Sequence, residues 1–484
     1  MRKRVLRART YRDIRRLNHI VRVFIRHGFG EWVAELRIFP VFTFFRRLLF
    51  WTKQALPPAQ RARMAFEELG PTFVKLGQIM SIRSDLLPHD YVEEFKKLQD
   101  SVPAFSFDKV KEIVKSQLKV PISERFASFE EHPIASASIA QVHYAVLHDG
   151  TEVAVKVKRP KIERIIDSDL SVMETIARLI ERYMPSAGRY IPVQIVKEFS
   201  NMIHKEQDFT IEAANAGKFY EIFKDDPTVM IPKVFWDYTS PDVLTLERIE
   251  GIPMDEIEKI RAMGLDTEQI ARNGIKAFFK QVFEHGFFHA DLHPGNIYAR
   301  HDGTIIYFDF GITGRLDDRL RTYMAEMFYS LIRRDYRKMA LMNVKMGLVP
   351  KDVNISEFED NLRGIVESVF GKSLEQIDIS ALLMKLINTA KRFNMTLHPD
   401  LLLLQRSMVI VEGVGRELYP DVDPWEIAKP MIYRWMIREK ASPGRFIKKG
   451  RKTVEEMAGF ALDMPGQVHE ILKQTLAEEL RIGF

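Results

Sequence analysis

Apolar residues recur with the helical period at both ends of the chain and alternate with polar residues in between. Residues 59–80 show the helical spacing, interrupted at Gly70-Pro71, where one helix should end and another begin. Alternation begins at Ser128 and predicts strands at 129–134, 139–147, 152–158, 231–237 and 243–247. Beyond Gly251 the helical period returns, apart from one hairpin. The pattern predicts an α+β fold with a small β-rich lobe, a helical lobe and an N-terminal helical extension.

These changes of period divide the chain into regions. The predicted regions are a basic amphipathic arm at 1–58, a helical extension at 59–125, a β-rich lobe at 126–250, a helical lobe at 251–440 and a helical tail at 441–484. Helices within them are predicted at 88–100, 107–118, 162–184, 192–223, 271–284, 316–333, 355–370, 381–393, 401–418 and 467–480.

The composition limits the class of protein and the types of reactive side chain that the site can contain. With 46% hydrophobic and 29% charged residues, the 484-residue chain has the composition of a folded protein of more than one domain. It contains no cysteine, which excludes disulfides, thiolate metal sites and a cysteine nucleophile. The chemistry must therefore come from oxygen and nitrogen side chains.

The net charge of +6 is unevenly distributed. Residues 1–63 carry 16 Lys and Arg against 3 Asp and Glu, a net of +13, so the remainder carries 56 against 63, a net of −7. Within this arm, residues 36–51 mix bulky apolar side chains with arginine, which suits the headgroup region of an anionic membrane. A contact with a partner protein or with the protein's own core is the main alternative, and nucleic acid is the least favoured partner.

One stretch, residues 285–311, carries the candidate chemistry. Asp291 and Asn296 stand in the pattern H-x-D-L-x-x-x-N, and a hairpin turned at Asp302-Gly303 separates them from Asp309-Phe310-Gly311. In kinases the first Asp orients the attacking oxygen, while the Asn and the second Asp hold Mg²⁺ against ATP phosphates. Oxygen ligands suit that hard cation. We therefore predict a protein-kinase-like two-lobe fold with Asp291 as the catalytic residue and Asn296 and Asp309 as metal ligands.

The β-rich lobe supplies the second part of the predicted site. Lys156 ends the pattern V-A-V-K on the third strand, where a kinase places the Lys that binds the α- and β-phosphates, although a Lys on an alternating strand is commonly just solvent-facing. A kinase also needs one Glu to pair with this Lys, and Glu206 and Glu212 are the candidates on the following helical segment. The segment from Glu247 to Ile249 should join the lobes and meet adenine through its backbone.

The loop between the first two strands departs from the kinase pattern. A kinase has G-x-G-x-x-G there, so that bare backbone amides can approach the phosphates. This chain keeps small residues but no glycine, in the sequence Ala135, Ser136, Ala137, Ser138, Ile139 and Ala140. We expect this Ala-rich loop to be stiffer and to hold nucleotide differently. Nothing resembling Ala-Pro-Glu follows Asp309 within the usual distance, so the peptide-docking segment of a protein kinase is not evident.

Four motifs together resemble the UbiB (AarF-domain) family of atypical kinase-like proteins, over roughly residues 60–420. They are K-x-G-Q at 75–78, the Ala-rich loop, E-x-D-[FY]-x-x-E-A-x-N at 206–215 and H-x-D-x-H-P-G-N at 289–296. The combination is highly specific to this family.

The resemblance implies more than the spacing does. Family members bind ATP or ADP with Mg²⁺, behave as ATPases, and support the biosynthesis of ubiquinone and related isoprenoid quinones. The resemblance makes Lys75 and Gln78 active-site residues supplied by the helical extension, and it implies that the Ala-rich loop restrains nucleotide binding. It matches Glu206 to the partner of Lys156 and Glu212 to an acidic position near the K-x-G-Q helix.

The expected partners and location rest on the charge and hydropathy pattern of the chain and on the family resemblance. We expect anionic membrane lipids, hydrophobic quinone precursors and quinone-biosynthesis proteins as partners. No run of the chain approaches the roughly 18 to 20 apolar residues that span a bilayer, and no cleavable signal is evident. Many bacterial relatives end in two hydrophobic helices that this chain does not show, so we expect a protein of the bacterial cytoplasm, peripheral at the inner membrane unless its C-terminus is truncated.

Two rival functions remain open. H-P-G-N also resembles small-molecule phosphotransferases, so a true small-molecule or protein kinase that transfers the γ-phosphate is the alternative. The third class is a scaffold that binds nucleotide without turnover and organises a biosynthetic complex.

Overall fold

The structure, a computed structural model, describes residues 2–36, 56–81, 87–98, 102–184, 192–367, 385, 389–390, 392–396 and 398–441. The chain forms two units by its internal contacts: unit 1 comprises residues 1–218 and 232–249, and unit 2 comprises residues 219–231 and 250–484. Residues 37–51 of the arm, the tail helix at 467–480 and most of the helix predicted at 381–393 lie outside the described residues.

The helices are labelled in chain order. They are α1 (Arg2–Arg26), α2 (Gly30–Glu35), α3 (Pro58–Leu69), α4 (Pro71–Met80), α5 (His89–Lys96), α6 (Phe107–Leu118), α7 (Ile122–Arg125), α8 (Ile162–Tyr183), α9 (Pro192–Glu206), α10 (Phe209–Phe223), α11 (Ile257–Ala262), α12 (Thr267–Phe279), α13 (Asp318–Ile332), α14 (Tyr336–Met346), α15 (Ile355–Val366), α16 (Pro399–Leu418) and α17 (Pro424–Ala441). A π-helical turn, Lys280–His285, continues α12, and short 3₁₀ turns lie at Trp236–Tyr238 and Pro294–Asn296.

The strands are short apart from three. They are β1 (Ser128–Phe129), β2 (Ala135–Ser136), β3 (Ala140–Val146), β4 (Glu152–Lys158), β5 (Val229–Met230), β6 (Val243–Glu247), β7 (Ile252–Pro253), β8 (Phe287–His289), β9 (Ile297–Ala299), β10 (Ile305–Tyr307) and β11 (Thr313–Arg315).

Unit 1 is built on an antiparallel sheet of order β1-β3-β4-β6, with β2 added to β3. The three valines of β4 are fully buried, and Val110 and Val114 of α6 pack against them. Because side chains alternate along a strand, Lys156 lies on the sheet face opposite these valines, between Val142 and Leu244 of the neighbouring strands. The predicted hairpin and its lysine are thus confirmed.

Two predicted strands are wrong in extent. The strand expected at 129–134 ends at Phe129, because the chain bends before Pro133, which has no N–H to donate to a sheet. The strand expected at 231–237 is reduced to a single bridge at Val234 followed by the 3₁₀ turn.

The described part of the arm packs on the protein's own core. In α1, Ile20, Val21 and Val23 are buried. The guanidinium of Arg16 pairs with the buried carboxylate of Asp169 in α8, with one N···O distance of 3.0 Å. This helix therefore packs on the protein's own core, whereas the alternatives weighed for the stretch at 36–51 stay predictions because residues 37–51 lie outside the described residues.

The segment expected as one helix at 192–223 is two helices. Asp208 interrupts it, because its carboxylate accepts hydrogen bonds from the backbone N–H and the hydroxyl of Thr210, at 3.0 and 2.6 Å. The Gln207 carbonyl at the break accepts from the ammonium of Lys158 at 3.1 Å. Side chains of this kind favour caps over helix interiors. Glu206 consequently ends α9, while Glu212 lies in the first turn of α10.

Unit 2 contains a four-stranded sheet of order β5-β10-β9-β7 and the pair β8-β11. Its core is aromatic: Phe287, Phe288 and Phe310 are fully buried. Gly314 of β11 faces the ring of Phe288 so closely that an added Cβ would lie 2.1 Å from it. This packing holds β8 and β11, which flank the stretch that contains Asp291, Asn296 and Asp309, in a defined register.

The helix pattern of this unit is largely as expected, with α11, α14 and α17 additional to the prediction. None of the described helices is both long enough and apolar enough to cross a membrane.

Candidate functional site

The lysine of β4 pairs with Glu212. Its Nζ lies 3.0 and 2.9 Å from the two carboxylate oxygens of Glu212, and 5.3 Å from the centre of the Phe209 ring. The side chain of Lys156 is 20% exposed and that of Glu212 is 8% exposed. The expectation that Glu206 holds Lys156 is therefore wrong, because the helix break at Asp208 places Glu212 rather than Glu206 at the lysine.

Glu206 instead binds the K-x-G-Q helix. The ammonium of Lys75 in α4 lies 2.5 Å from the Glu206 carboxylate, and both side chains are 15% exposed. The expectation that Glu212 lies near this helix stays a prediction, because the described ion pair of the helix is with Glu206. The two described Lys–Glu pairs are thus Lys156 with Glu212 and Lys75 with Glu206.

The other two positions of K-x-G-Q are explained by packing. A Cβ on Gly77 would lie 2.2 Å from Leu98 Cδ1 and 2.9 Å from the Phe66 ring, so only glycine fits there without displacement. The side-chain amide of Gln78 donates to the Leu98 carbonyl at 3.2 Å. The described contacts of Gln78 thus attach α4 to the end of α5, and its predicted active-site role stays a prediction.

The Ala-rich loop is a tight turn whose second half is buried. The Ala137 N–H donates to the Ala140 carbonyl at 2.8 Å. Ser138, Ile139 and Ala140 are at most 6% exposed, whereas Ala135 is exposed. The part of the loop that a ligand can reach is therefore its first half.

The predicted adenine-binding segment follows the sheet of unit 1. Glu247 pairs with Val153 at the end of β6, and its carboxylate accepts from the backbone N–H of Lys233 at 3.2 Å. Ile249 is the last residue assigned to unit 1.

In unit 2, Asp291 and Asn296 are joined directly. Asp291 follows β8, and the 3₁₀ turn brings Asn296 back so that its side-chain amide donates to the Asp291 carbonyl at 3.0 Å. Asn296 is 7% exposed. Because the amide nitrogen is used in this bond, the side-chain oxygen is the atom that can face a cation.

Asp309 has a backbone conformation that few residues other than glycine adopt. Its φ is 53°, in the left-handed region, and its carboxylate accepts from the Gly311 N–H at 3.2 Å. Strained backbone of this kind concentrates at functional sites. The preceding residue, Phe308, donates its N–H to the Asn296 carbonyl at 2.9 Å, so the two predicted metal ligands are connected through the backbone.

His289 links the loop that carries Asp291 to the segment of Asp309. Its Nδ1 accepts from the Asp291 N–H at 3.1 Å, and its Nε2–H donates to the Phe308 carbonyl at 3.0 Å. Burial lowers the pKa of this imidazole, which keeps it neutral with the proton on Nε2. The ring of Phe310 packs at 5.6 Å against it. Sequence reasoning assigned His289 no role, although its place in H-x-D was the available signal.

The sequence did not predict any site role for Arg406. Its guanidinium, on α16, lies 3.1 Å from the Asp291 carboxylate, and the two side chains are 25% and 22% exposed. The sequence around it is leucine-rich and predicted only a core helix. Nothing local in the sequence signals that this arginine contacts Asp291, because the two are 115 positions apart.

The donor set fits Mg²⁺ with nucleotide rather than a metal held by protein alone. Among the described residues no group of three His, Asp or Glu side chains is arranged to hold an ion. Mg²⁺ in phosphoryl-transfer sites takes one or two protein oxygens together with phosphate oxygens and waters. Asn296 and Asp309 provide oxygens of that type.

A strand lysine paired with a helix glutamate in a β-rich lobe, and a linked Asp, Asn and Asp in a helical lobe, define a kinase-like protein. The model of the ABC1 atypical kinase-like domain matches residues 97–343, and that of the UbiB helical domain matches residues 362–423. The chain belongs to this UbiB family of atypical kinase-like proteins and is a kinase-type enzyme.

Relatives and a solved structure agree with this assignment. The chain is 40% identical over 468 residues to a protein of Marinobacter nauticus named "Probable protein kinase UbiB", covering 95% of this chain and 85% of that protein. It is 40% identical over 457 residues to the protein of that name from Pseudomonas aeruginosa, covering 92% and 85%. The solved complex of Rv3197 with erythromycin from Mycobacterium tuberculosis matches with a TM-score of 0.50 and 28% identity, over 72% of this chain and 89% of that one.

Proposed function

We propose that this protein is a Mg²⁺-dependent ATPase that supports isoprenoid-quinone biosynthesis at a membrane surface. The observation that carries the proposal is the network in which His289 joins Asp291 to the segment of Asp309, while Asn296 donates to Asp291. The UbiB name of the relatives supports the biosynthetic setting.

Each side chain has a distinct task in this proposal. In unit 1, Lys156, held by Glu212, binds the α- and β-phosphates of ATP. In unit 2, Asn296 and Asp309 hold Mg²⁺, which neutralises phosphate charge when it is bound. Asp291 orients the attacking water.

The chemistry requires positioning more than covalent work by the protein. The water oxygen bonds to the γ-phosphorus, the bond from that phosphorus to the β,γ-bridging oxygen breaks, and ADP, phosphate and a proton are released. Asp291 fixes the water by hydrogen bonding, and the pair with Arg406 fixes the Asp291 carboxylate in turn.

Hydrolysis is favoured over phosphorylation of a protein by two features. The sequence after Asp309 has no Ala-Pro-Glu, the mark of a peptide-docking segment. In addition, the K-x-G-Q helix contributes Lys75 to a pair with Glu206, so the helical extension is bound to the β-rich lobe.

Turnover of ATP by the parent and by Asp309→Asn, with and without anionic vesicles, tests the proposal. We expect phosphate release in the parent and its loss in the variant, because Asn lacks the charge that holds Mg²⁺. Equal rates in the two proteins would refute the site assignment. Phosphate transfer to an added acceptor that disappears in Asp291→Asn would identify a kinase instead, and tight binding without turnover would identify a nucleotide-binding scaffold.

The membrane part of the proposal is supported by α1. Ile20, Val21 and Val23 of its apolar face are buried and Ile14 is half exposed, whereas the other face presents an exposed stripe at helical spacing, formed by Arg12, Arg15, His19 and Arg22. Such a stripe complements anionic headgroups. Trp32, which is 57% exposed, adds a side chain that favours the membrane interface.

Sedimentation with vesicles tests this surface. Replacing Arg12, Arg15 and Arg22 with Gln should abolish binding to vesicles that contain phosphatidylglycerol while leaving the weak binding to neutral vesicles unchanged. The control removes three positive charges elsewhere in unit 1, at Lys96, Lys97 and Lys111, which are also exposed. Equal loss of binding in both triple variants would show a response to net charge alone and would contradict the role of α1.

A further inference from the structure

Arg159, just beyond the end of β4, is bonded to the Ala-rich loop at several points. Its Nε donates to the Ala137 carbonyl at 2.8 Å, and its Nη2 donates to the Ser136 hydroxyl at 2.8 Å. Its backbone N–H donates to the Ile139 carbonyl, also at 2.8 Å. One residue therefore restrains both the first and the second half of the loop.

The same guanidinium reaches the segment that leads from the helical extension into the β-rich lobe. Nη2 of Arg159 donates to the Val102 carbonyl at 3.1 Å, and the guanidinium carbon lies 5.6 Å from the centre of the Phe105 ring. The Ser136 hydroxyl donates to the Val102 carbonyl as well, at 2.7 Å. The Ala-rich loop and residues 102–105 are thus joined through a shared set of polar contacts.

Gln141, the first residue past the loop, reinforces this junction. Its side-chain oxygen accepts from the Phe105 N–H at 2.9 Å, and its amide donates to the Phe105 carbonyl at 3.3 Å. Gln141 is 1% exposed. Buried contacts to both backbone groups of one residue fix the position of residues 102–105 beside the loop.

We propose that Arg159 is a positioning residue that holds the Ala-rich loop back from bound nucleotide and so sets the preference of the protein between ADP and ATP. This rests on the proposed function, because it takes the loop to be part of the nucleotide site. The charged guanidinium makes stronger hydrogen bonds than a neutral donor, and its planar fork suits several acceptors at once.

The direction of the effect follows from the geometry of kinase-type sites. There the loop between the first two strands covers the phosphates, and the γ-phosphate is the group that ATP presents to the loop in addition to those of ADP. With its carbonyls at 137 and 139 bonded to Arg159, the loop must break these bonds before it closes. Arg159 therefore acts against ATP more strongly than against ADP.

Dissociation constants of Mg-ADP and Mg-ATP, measured for the parent and Arg159→Met, test the proposal. Met keeps an apolar stem of similar length and removes the donors, so we expect ATP to gain about tenfold relative to ADP, the effect of losing a charge-assisted hydrogen bond. Arg159→Lys keeps the charge without the fork and should restore part of the parent preference. Hydrogen exchange of the amides at 135–141 should accelerate in Arg159→Met.

Arg125 provides the matched control. It is an arginine of the same lobe whose described contacts are with the Asp237 carbonyl and the face of the Tyr238 ring at 4.1 Å. Arg125→Met should keep the parent preference. Ser136→Ala, which removes an acceptor of Arg159 and a bond to Val102, should shift the preference in the same direction as Arg159→Met but less.

The outcomes separate the two proposals. An unchanged ratio of ADP to ATP affinity in a folded Arg159→Met protein, or an equal change in Arg125→Met, would overturn the role of Arg159 and leave the ATPase assignment intact. Nucleotide affinity that is the same in the parent and in Asp309→Asn would overturn the nucleotide site itself and, with it, the basis of this inference.

Discussion

Replacing Glu212 with Gln removes one charge from the Lys156 pair and keeps the size of the side chain. Lys156 contacts both carboxylate oxygens, at 3.0 and 2.9 Å, and the side chain of Glu212 is 8% exposed. Breaking a buried ion pair costs about 3 to 5 kcal/mol. About a fifth of the Lys156 side chain is exposed, so water partly solvates the unpaired ammonium. We therefore expect the loss of the ion pair to cost about 2 to 3 kcal/mol. That free energy corresponds to a decrease of about 30- to 150-fold in kcat/KM for ATP.

The informative comparison is with Glu206→Gln. Glu206 contacts Lys75 at 2.5 Å, whereas the described ion pair of Lys156 is with Glu212. Its replacement should therefore leave the dissociation constant of Mg-nucleotide close to that of the parent and act on turnover alone. Phosphate release and nucleotide binding, measured on both variants at equal salt, separate the two effects.

Double-mutant cycles make the distinction quantitative. Lys156→Met combined with Glu212→Gln should cost much less than the sum of the single changes, because the two side chains share one contact. Lys156→Met combined with Glu206→Gln should be close to additive. A weaker nucleotide affinity in Glu206→Gln than in Glu212→Gln, or coupling of Lys156 to Glu206 instead of Glu212, would refute the pairing.

Three further predictions concern stability. Burial lowers the pKa of His143, whose Nδ1–H donates to the Glu130 carbonyl at 2.8 Å, so below pH 6.5 the unfolded chain binds a proton that the folded chain does not. The free energy of unfolding should therefore decrease as the pH is lowered below 6.5, by up to about 1.4 kcal/mol per pH unit. Urea unfolding of His143→Gln over this pH range should show a smaller pH dependence. Gly413 is exposed inside α16 with no atom within 4 Å of an added Cβ, so Gly413→Ala should raise the free energy of unfolding by about 0.5 to 1 kcal/mol, seen as a higher melting temperature; a lower one would contradict the helix. Gly77→Ala, with its Cβ 2.2 Å from Leu98, should instead destabilise by about 1 to 3 kcal/mol, and an unchanged melting temperature would show that the packing of α4 is looser than described.

Much of the site was predictable because local chemistry determines it. The hairpin turned at Asp302-Gly303 brings Asp309 back towards Asn296 by strand pairing alone, and the pattern V-A-V-K places Lys156 opposite the core by alternation. Short hairpin turns and strand periodicity act over a few positions, so the sequence reports them directly.

The remainder depends on contacts between distant positions. The pairing of Lys156 with Glu212 follows from one interruption at Asp208, whose side chain competes with the helix for backbone N–H groups. Helical periodicity continues across this interruption and therefore conceals it. Arg406 reaches Asp291 through the packing of α16 in unit 2, and a leucine-rich helix gives no indication of the residue that its arginine contacts.

The contact between Arg406 and Asp291 bears on which piece of this chain could be expressed and assayed by itself. A fragment cut at the edges of the kinase-like family match, residues 97–343, would retain Asp291 and Glu206 but would lack both Arg406 and Lys75. Each of those carboxylates would then be left without its cationic partner. A fragment that runs from α4 through α16 keeps both cationic partners, so inactivity of the shorter fragment would say nothing about the enzyme.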